Sequence, residues 1–157
     1  MEKPNVNQPC PPLAPLFRAA GSILLLAAAS CAPPPTTASV AIPPIPPQQG
    51  RVWFYREVDT ADQNTTTPYV RLNGGIAGVP EQGGAFYRDV SPGRYQITVD
   101  SEGMSPSPSR DVALVAGEQI YARIWLGGSW NGQGFTITVE PSEVGHAAIE
   151  HSKFYGG

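Results

Sequence analysis

From Arg51 onward the chain alternates apolar and polar residues in short runs, and this pattern restricts the fold more than any other feature. The aliphatic and aromatic residues lie two apart in the clearest runs, which are Tyr95, Ile97 and Val99; Val112 and Leu114; Ile120, Ala122, Ile124 and Leu126; and Phe135, Ile137 and Val139. Side chains of a strand point alternately to opposite faces, so this period predicts strands with one buried face and one solvated face. The sequence therefore predicts a mainly β domain.

Turn-forming residues separate these runs at short intervals, as in Asn73-Gly74-Gly75, Ser91-Pro92-Gly93 and Ala116-Gly117. Short strands joined in this way favour a small antiparallel β-sandwich of about seven strands. The pattern changes at residues 141–152, which begin with Pro141 and Ser142. Here the apolar residues have helical spacing and predict a short C-terminal helix packed on the sheet, through Val144, Ala147, Ala148 and Ile149.

The first thirty residues have the pattern of a secretory signal peptide. Lys3 and Arg18 precede an apolar stretch from Ala19 to Ala29, which ends in the small residues Ala28-Ala29-Ser30. The stretch is shorter than the roughly 20 apolar residues of a transmembrane helix, and prolines follow it. We therefore expect residues 1–30 to be removed as a signal peptide.

Cys31 stands directly after this stretch and directly before Ala32 and three prolines. Its surroundings resemble the lipobox of bacterial lipoproteins, in which the cysteine is acylated and becomes the new N-terminus. That resemblance implies a stable membrane anchor on Cys31, because two or more acyl chains hold a protein on a membrane. By the same resemblance, Ala32 favours the outer membrane, with the protein facing the periplasm. The alternative is an ordinary secreted protein in which Cys31 is a free thiol.

Residues 31–50 are interpreted as a Pro-rich tether, because seven prolines lie between Ala32 and Gly50. Such a segment favours polyproline II and acts as a semi-rigid stalk, or else it is disordered. Residues 51–157 then form one β-sandwich domain, long enough for a single hydrophobic core.

The charge of the mature chain excludes one class of partner. Removal of residues 1–30 leaves eight basic and twelve acidic residues of the original ten and thirteen, a net charge of −4. No nucleic-acid partner is expected, because nucleic-acid binding requires a basic face. Cys10 lies in the signal peptide, so no disulfide is expected within the mature chain.

Large aromatic and basic residues occupy the strand positions opposite the aliphatic faces. They are Trp53 and Tyr55 on one strand, and Tyr121, Arg123 and Trp125 on another. If solvated, these side chains are a candidate recognition surface for a protein or a sugar. The alternative is that the C-terminal helix or the second sheet covers them, which makes them a second core layer.

Residue types that support catalysis or metal binding are present without the required spacing. His146 and His151 are five apart, whereas two ligands on one helix face are four apart. Asp89, Asp100 and Glu102 follow no spacing that pairs carboxylates across a cleft. We therefore expect no enzyme activity, no cofactor and no metal site.

The order of four segments resembles a known family. They are Arg51-Val52-Trp53-Phe54-Tyr55-Arg56, Leu72-Asn73-Gly74-Gly75, Val90-Ser91-Pro92-Gly93-Arg94-Tyr95-Gln96-Ile97 and Ala116-Gly117-Glu118-Gln119-Ile120-Tyr121-Ala122-Arg123-Ile124. This order resembles a domain of unknown function, the 2846 type, found in small bacterial lipoproteins. Its layout is similar to that of PEGA and carboxypeptidase-regulatory-like β-sandwiches. The resemblance implies a β-sandwich and a lipoprotein context, and it brings no catalytic residues.

The sequence thus predicts a non-enzymatic envelope lipoprotein that presents a β-sandwich for protein–protein interaction or envelope assembly. The alternative is an accessory module that binds glycan or peptidoglycan through the aromatic face. In both cases the first partner is the membrane, through the lipid on Cys31.

Overall fold

The computed structural model of the chain describes residues 33–60, 67–101, 107–129 and 132–157. The predicted signal peptide and Cys31 lie outside these residues. The described residues form nine strands and one α-helix, with a single 3-10 turn at Thr37–Ser39. The strands are β1 Gly50–Arg56, β2 Val70–Leu72, β3 Gly75–Gly78, β4 Gly84–Val90, β5 Gly93–Val99, β6 Ser109–Leu114, β7 Gln119–Ser129, β8 Gly132–Glu140 and β9 Lys153–Phe154, and the helix α1 is Ser142–Glu150.

The strands form two sheets, which confirms the predicted small β-sandwich with a C-terminal helix. One sheet has five strands in the order β8-β7-β1-β4-β9, and the other has four in the order β3-β2-β5-β6. Two pairings differ from the antiparallel prediction, because β1 pairs with β7 and β4 pairs with β9 in parallel. The chain passes through the whole second sheet between β1 and β7, which is the long connection that a parallel pair needs.

The aliphatic faces of the two sheets meet in the main hydrophobic core. The five-stranded sheet contributes Val52 and Phe54, among others, and the four-stranded sheet contributes Ile97 and Val99. Phe54 stacks on Phe86 of the adjacent strand, with 5.1 Å between the ring centroids. These contacts come from the residues whose period of two predicted the strands.

The opposite face of the five-stranded sheet is covered by a third layer. Every residue of β1 is buried, so of the two alternatives left open for its aromatic face, the covered one is found. A second cluster on this face contains Trp53, Tyr55 and Tyr121, with Ile149 of α1 packed on them. β1 therefore lies at the centre of three layers rather than at the surface of two.

Turn chemistry fixes the register at the β2–β3 hairpin. Asn73 and Gly74 both have positive φ, 47° and 82°, as the two central residues of a type I′ turn require. The Asn73 side-chain oxygen also accepts from the backbone N–H of Gln96 at 2.8 Å. The turn predicted from Asn73-Gly74 is therefore confirmed and is tied to the neighbouring strand.

The described part of the Pro-rich segment lies against the domain and does not extend from it. We call residues 35–49 the strap. The carbonyl oxygen of Pro35 accepts from the backbone N–H of Phe154 at 2.7 Å, and the carbonyl oxygen of Gln49 accepts from Gly117 at 2.8 Å. Ile42, between them, packs on the cluster around Trp53. Prolines donate no backbone hydrogen bond, but their carbonyl oxygens remain available as acceptors, and the domain uses them. Residues 35–49 of the predicted tether (residues 31–50) therefore pack on the domain and form part of its fold.

Candidate functional site

The structure divides the predicted recognition surface into a buried part and an exposed part. Trp53, Tyr55 and Tyr121 have at most 2 % of their surface exposed. Trp125 is 40 % exposed, and the side chain of Arg123 is about equally exposed. The alternative, a second core layer, therefore describes the first three residues, and only the last two are available to a partner.

The C-terminal helix and the strap cover the buried part. Gly145 of α1 lies directly on the ring of Tyr121, so closely that a Cβ on this glycine would collide with it. The ring of Trp53 meets Tyr87 edge-on, with 4.9 Å between centroids, and its indole N–H donates to the Gln119 side chain at 2.9 Å. These aromatic side chains have their partners inside the domain.

Arg51 links the strap to this buried layer. It donates two hydrogen bonds to the Asp89 carboxylate, at 2.7 and 2.8 Å, and a third to the carbonyl oxygen of Pro43 at 3.0 Å. Its guanidinium carbon lies 3.9 Å from the centre of the Tyr87 ring. The bond to Asp89 raises the pKa of Arg51. The pair is structural, since both side chains are engaged within the domain.

The exposed part forms a cleft where β1 and β7 separate. The parallel pairing of the two strands ends at Tyr55 and Arg123, and β7 continues past this point paired only with β8. The resulting cleft has a volume of about 360 Å³. We call it the Trp125 cleft, and its lining is Arg56, Glu57, Val58, Asp59, Thr60, Arg123, Ile124, Trp125 and Leu126.

Hydrogen bonds and ion pairs hold the side chains of the Trp125 cleft in place. Arg123 forms an ion pair with Glu57 at 2.6 Å and a longer one with Glu140 at 4.0 Å. The indole N–H of Trp125 donates to the Thr138 hydroxyl at 3.0 Å. The site therefore offers an oriented aromatic ring next to charges of both signs.

Sequence reasoning found two residues of this cleft and missed the rest. Glu57 and Val58 follow β1 directly. Glu57 had a signal in the sequence, because it continues the alternation of Trp53 and Tyr55 onto the same face of the sheet. Val58 had none. Val58 is the most exposed large apolar residue among the described ones, at 69 %.

A second cavity, of about 460 Å³, lies between the strap and α1. Ile42, Trp53 and Ile149 form its apolar lining, and His146 and Glu150 stand at its rim, 3.6 Å apart. Its deeper polar groups already bond to one another, as Trp53 does with Gln119. The tryptophan of this cavity is only 2 % exposed, whereas Trp125 in the Trp125 cleft is 40 % exposed.

The carboxylates considered for acid–base chemistry lie apart in the structure. Asp89 is held by Arg51, and Asp100 by Arg71, on different sheets. Glu102 lies outside the described residues. Within the residues that the structure describes, no three His, Cys, Asp or Glu side chains come together as metal ligands would.

None of the helices in the described part of the chain has the length and apolar character needed to cross a membrane. No protein-family model, curated protein or solved structure matches this chain.

Proposed function

We propose that this chain is a lipid-anchored, non-enzymatic protein of the bacterial cell envelope, whose β-sandwich binds another envelope protein through the Trp125 cleft. The anchor is the acylated Cys31, and the outer membrane, with the domain in the periplasm, is the proposed location. The sequence resemblance to small bacterial lipoproteins of the 2846 type supports the lipid anchor and the envelope location.

The exposure of Trp125 is the observation that carries the binding role. The aromatic residues aligned with it on this face, Trp53, Tyr55 and Tyr121, are covered by other parts of the domain, while Trp125 keeps 40 % of its surface in solvent. Tryptophan and arginine are the residue types that most often dominate protein interfaces. Here Arg123 lies two residues before Trp125, on the same face of β7. Burial of this ring by a partner would stabilise a complex through apolar area and through the fixed neighbouring charges.

In-cell crosslinking tests the protein partner. A photoreactive residue replaces Val58, at the edge of the cleft, and the crosslinked products of the wild-type chain and of Trp125→Ala are compared. We expect a discrete crosslinked product that falls at least several-fold in Trp125→Ala. Val115→Ala is the matched control, because Val115 is also an exposed apolar residue but lies outside the cleft. Equal crosslinking in Trp125→Ala and Val115→Ala would refute the role of the cleft.

A glycan strand is the second candidate occupant, and the composition of the cleft favours it specifically. An indole ring beside the carboxylate of Glu57 and the guanidinium of Arg123 offers both a stacking surface and hydrogen-bonding groups. Co-sedimentation of the protein with purified peptidoglycan tests this alternative. Loss of sedimentation in Trp125→Ala, without a Trp125-dependent protein crosslink, would replace the protein partner by glycan.

A further inference from the structure

The chain between Cys31 and the folded domain is short. Pro35 is already bonded to Phe154, and Thr36 pairs with Lys153 in an antiparallel bridge. The four residue steps from Cys31 to Pro35 span at most about 14 Å. A free polyproline stalk over residues 32–50 would reach about 60 Å. The strap therefore keeps one end of the domain close to whatever Cys31 is attached to.

That end of the domain is the edge where β9 joins β4. Lys153 pairs with Gly84, and its backbone N–H donates to the carbonyl oxygen of Gly83 at 2.8 Å. Two exposed apolar side chains lie over these glycines. Val58 covers Gly83, with a methyl group 2.7 Å from where a Cβ would stand, and the ring of Tyr155 covers Gly84. Val58 is 69 % exposed and Tyr155 45 % exposed.

We propose that this edge, formed by Val58, Lys153 and Tyr155, rests on the lipid surface to which Cys31 is attached. The proposal depends on the lipid anchor of the proposed function. A tyrosine can place its ring among lipid headgroups with its hydroxyl in water, and a lysine can pair with their phosphates. Asp59 and Glu81 lie at the same end of the domain and offset the positive charge of Lys153. The short tether and the apolar contact, rather than the net charge of the edge, therefore hold it at the membrane.

The orientation has a consequence for the Trp125 cleft. Val58 belongs both to the membrane-facing edge and to the lining of the cleft. The Trp125 cleft therefore opens directly beside the proposed membrane-facing edge.

Fluorescence quenching by labelled lipids tests the orientation. In the mature chain Cys10 is removed and Cys31 is acylated, so one introduced cysteine is the only free thiol. The lipidated variants Lys153→Cys and Ala116→Cys are labelled with the same dye and placed in vesicles that contain spin-labelled phospholipid. Ala116 is the matched control, because it lies in an exposed turn at the other end of the strands. The register from Gly50–Val90 to Arg56–Gly84 places this end about 20 Å away.

We expect quenching at position 153 to be several-fold stronger than at position 116. Val58→Cys is the second reporter, should Lys153→Cys not fold, and the same ratio is expected for it. Equal quenching at the two ends would overturn the orientation, because it would mean that the domain turns freely above the bilayer. Failure of the chain to incorporate an acyl label and to float with vesicles is a different result, which would overturn the anchor itself and the orientation with it.

Discussion

The backbone amide and the side-chain hydroxyl of Thr37 both donate to the carbonyl oxygen of Ser152, at 2.8 and 3.1 Å, across 115 positions of the sequence. Ser152 in turn donates from its own hydroxyl to the carbonyl oxygen of Ala148, in the last turn of α1. The strap, the helix and β9 are thus joined at one point. This junction makes the Pro-rich segment part of the fold and fixes where the chain leaves the domain toward Cys31.

The substitution Thr37→Val tests this junction. Valine has nearly the same shape, so the variant removes the buried hydroxyl donor and leaves the backbone bond to Ser152. We expect the free energy of unfolding to fall by about 0.5–1.5 kcal/mol, measured by urea denaturation. The neighbouring Thr36→Val, at an exposed side chain, serves as the control and should change it by less than about 0.5 kcal/mol. Equal effects of the two substitutions would contradict the role of the Thr37 hydroxyl.

The ion pair between Arg51 and Asp89 contributes more to the free energy of unfolding than the Thr37 hydroxyl does. Only 3 % of the Arg51 side chain is exposed, and Asp89→Asn would leave its guanidinium buried without a counter-ion. We expect a loss of about 3 kcal/mol in the free energy of unfolding. Asp100→Asn, in the solvated pair with Arg71, is the matched control and should cost only a small fraction of this, since water screens both groups. Similar losses in the two variants would show that burial does not set the strength of the pair.

Trp53 and Trp125 lie on the same face of the same sheet and should respond differently to truncation. Trp53→Ala removes a ring packed between Tyr87 and Phe154 and should cost about 3–5 kcal/mol. Trp125→Ala removes a half-exposed ring with one hydrogen bond and should cost about 1–2 kcal/mol, because much less apolar area returns to water. Thermal and urea denaturation of both variants check this. A cost at Trp125 equal to that at Trp53 would assign Trp125 to the core.

The period of two was sufficient to predict the strands that have one aliphatic face, such as β5 and β7. It did not reveal β4, where Ala85, Phe86 and Tyr87 are buried on both faces and give no alternation. It also could not decide whether the aromatic face of β1 was solvated, because that depends on which segments pack over it. Alternation reports the chemistry of each face, and only the fold reports what covers it.

The strap shows a second limit of sequence reasoning. A proline-rich composition predicts extended backbone, which is what residues 35–49 need in order to run along the domain. It carries no information about which backbone N–H groups of the domain will bond to this segment. The amides of Phe154 and Gly117 belong to distant segments, and their bonds to Pro35 and Gln49 decide the outcome. Of the candidate site, the sequence indicated Arg123 and Trp125. Glu57, the ion-pair partner of Arg123, became apparent only from the structure.

Gly145 is unfavourable for the helix by intrinsic propensity and required by its packing. An alanine would favour the helix by about 1 kcal/mol. Its Cβ would however strike the Cβ and the inner ring atoms of Tyr121, which cannot move aside because they lie next to the backbone of β7. We expect Gly145→Ala to destabilise the domain by about 1–3 kcal/mol in urea denaturation. Ala147→Gly, on the exposed side of α1, is the control for propensity alone and should cost about 1 kcal/mol. A stabilised Gly145→Ala would mean that α1 lies further from the sheet.

The buried phenol of Tyr55 makes stability depend on alkaline pH. Burial, reinforced by Glu140 and Glu57, raises the pKa of Tyr55 to about 12, compared with about 10 in an unfolded chain. The unfolded state therefore loses this proton first, so the stability contributed by the neutral phenol is complete below about pH 10 and is lost as the pH rises from about 10 toward 12. Urea denaturation over this interval should show a steeper decline for the wild-type chain than for Tyr55→Phe, which has no phenol proton, with measurements near pH 7 as the reference for each. Parallel declines would place the Tyr55 hydroxyl in contact with water.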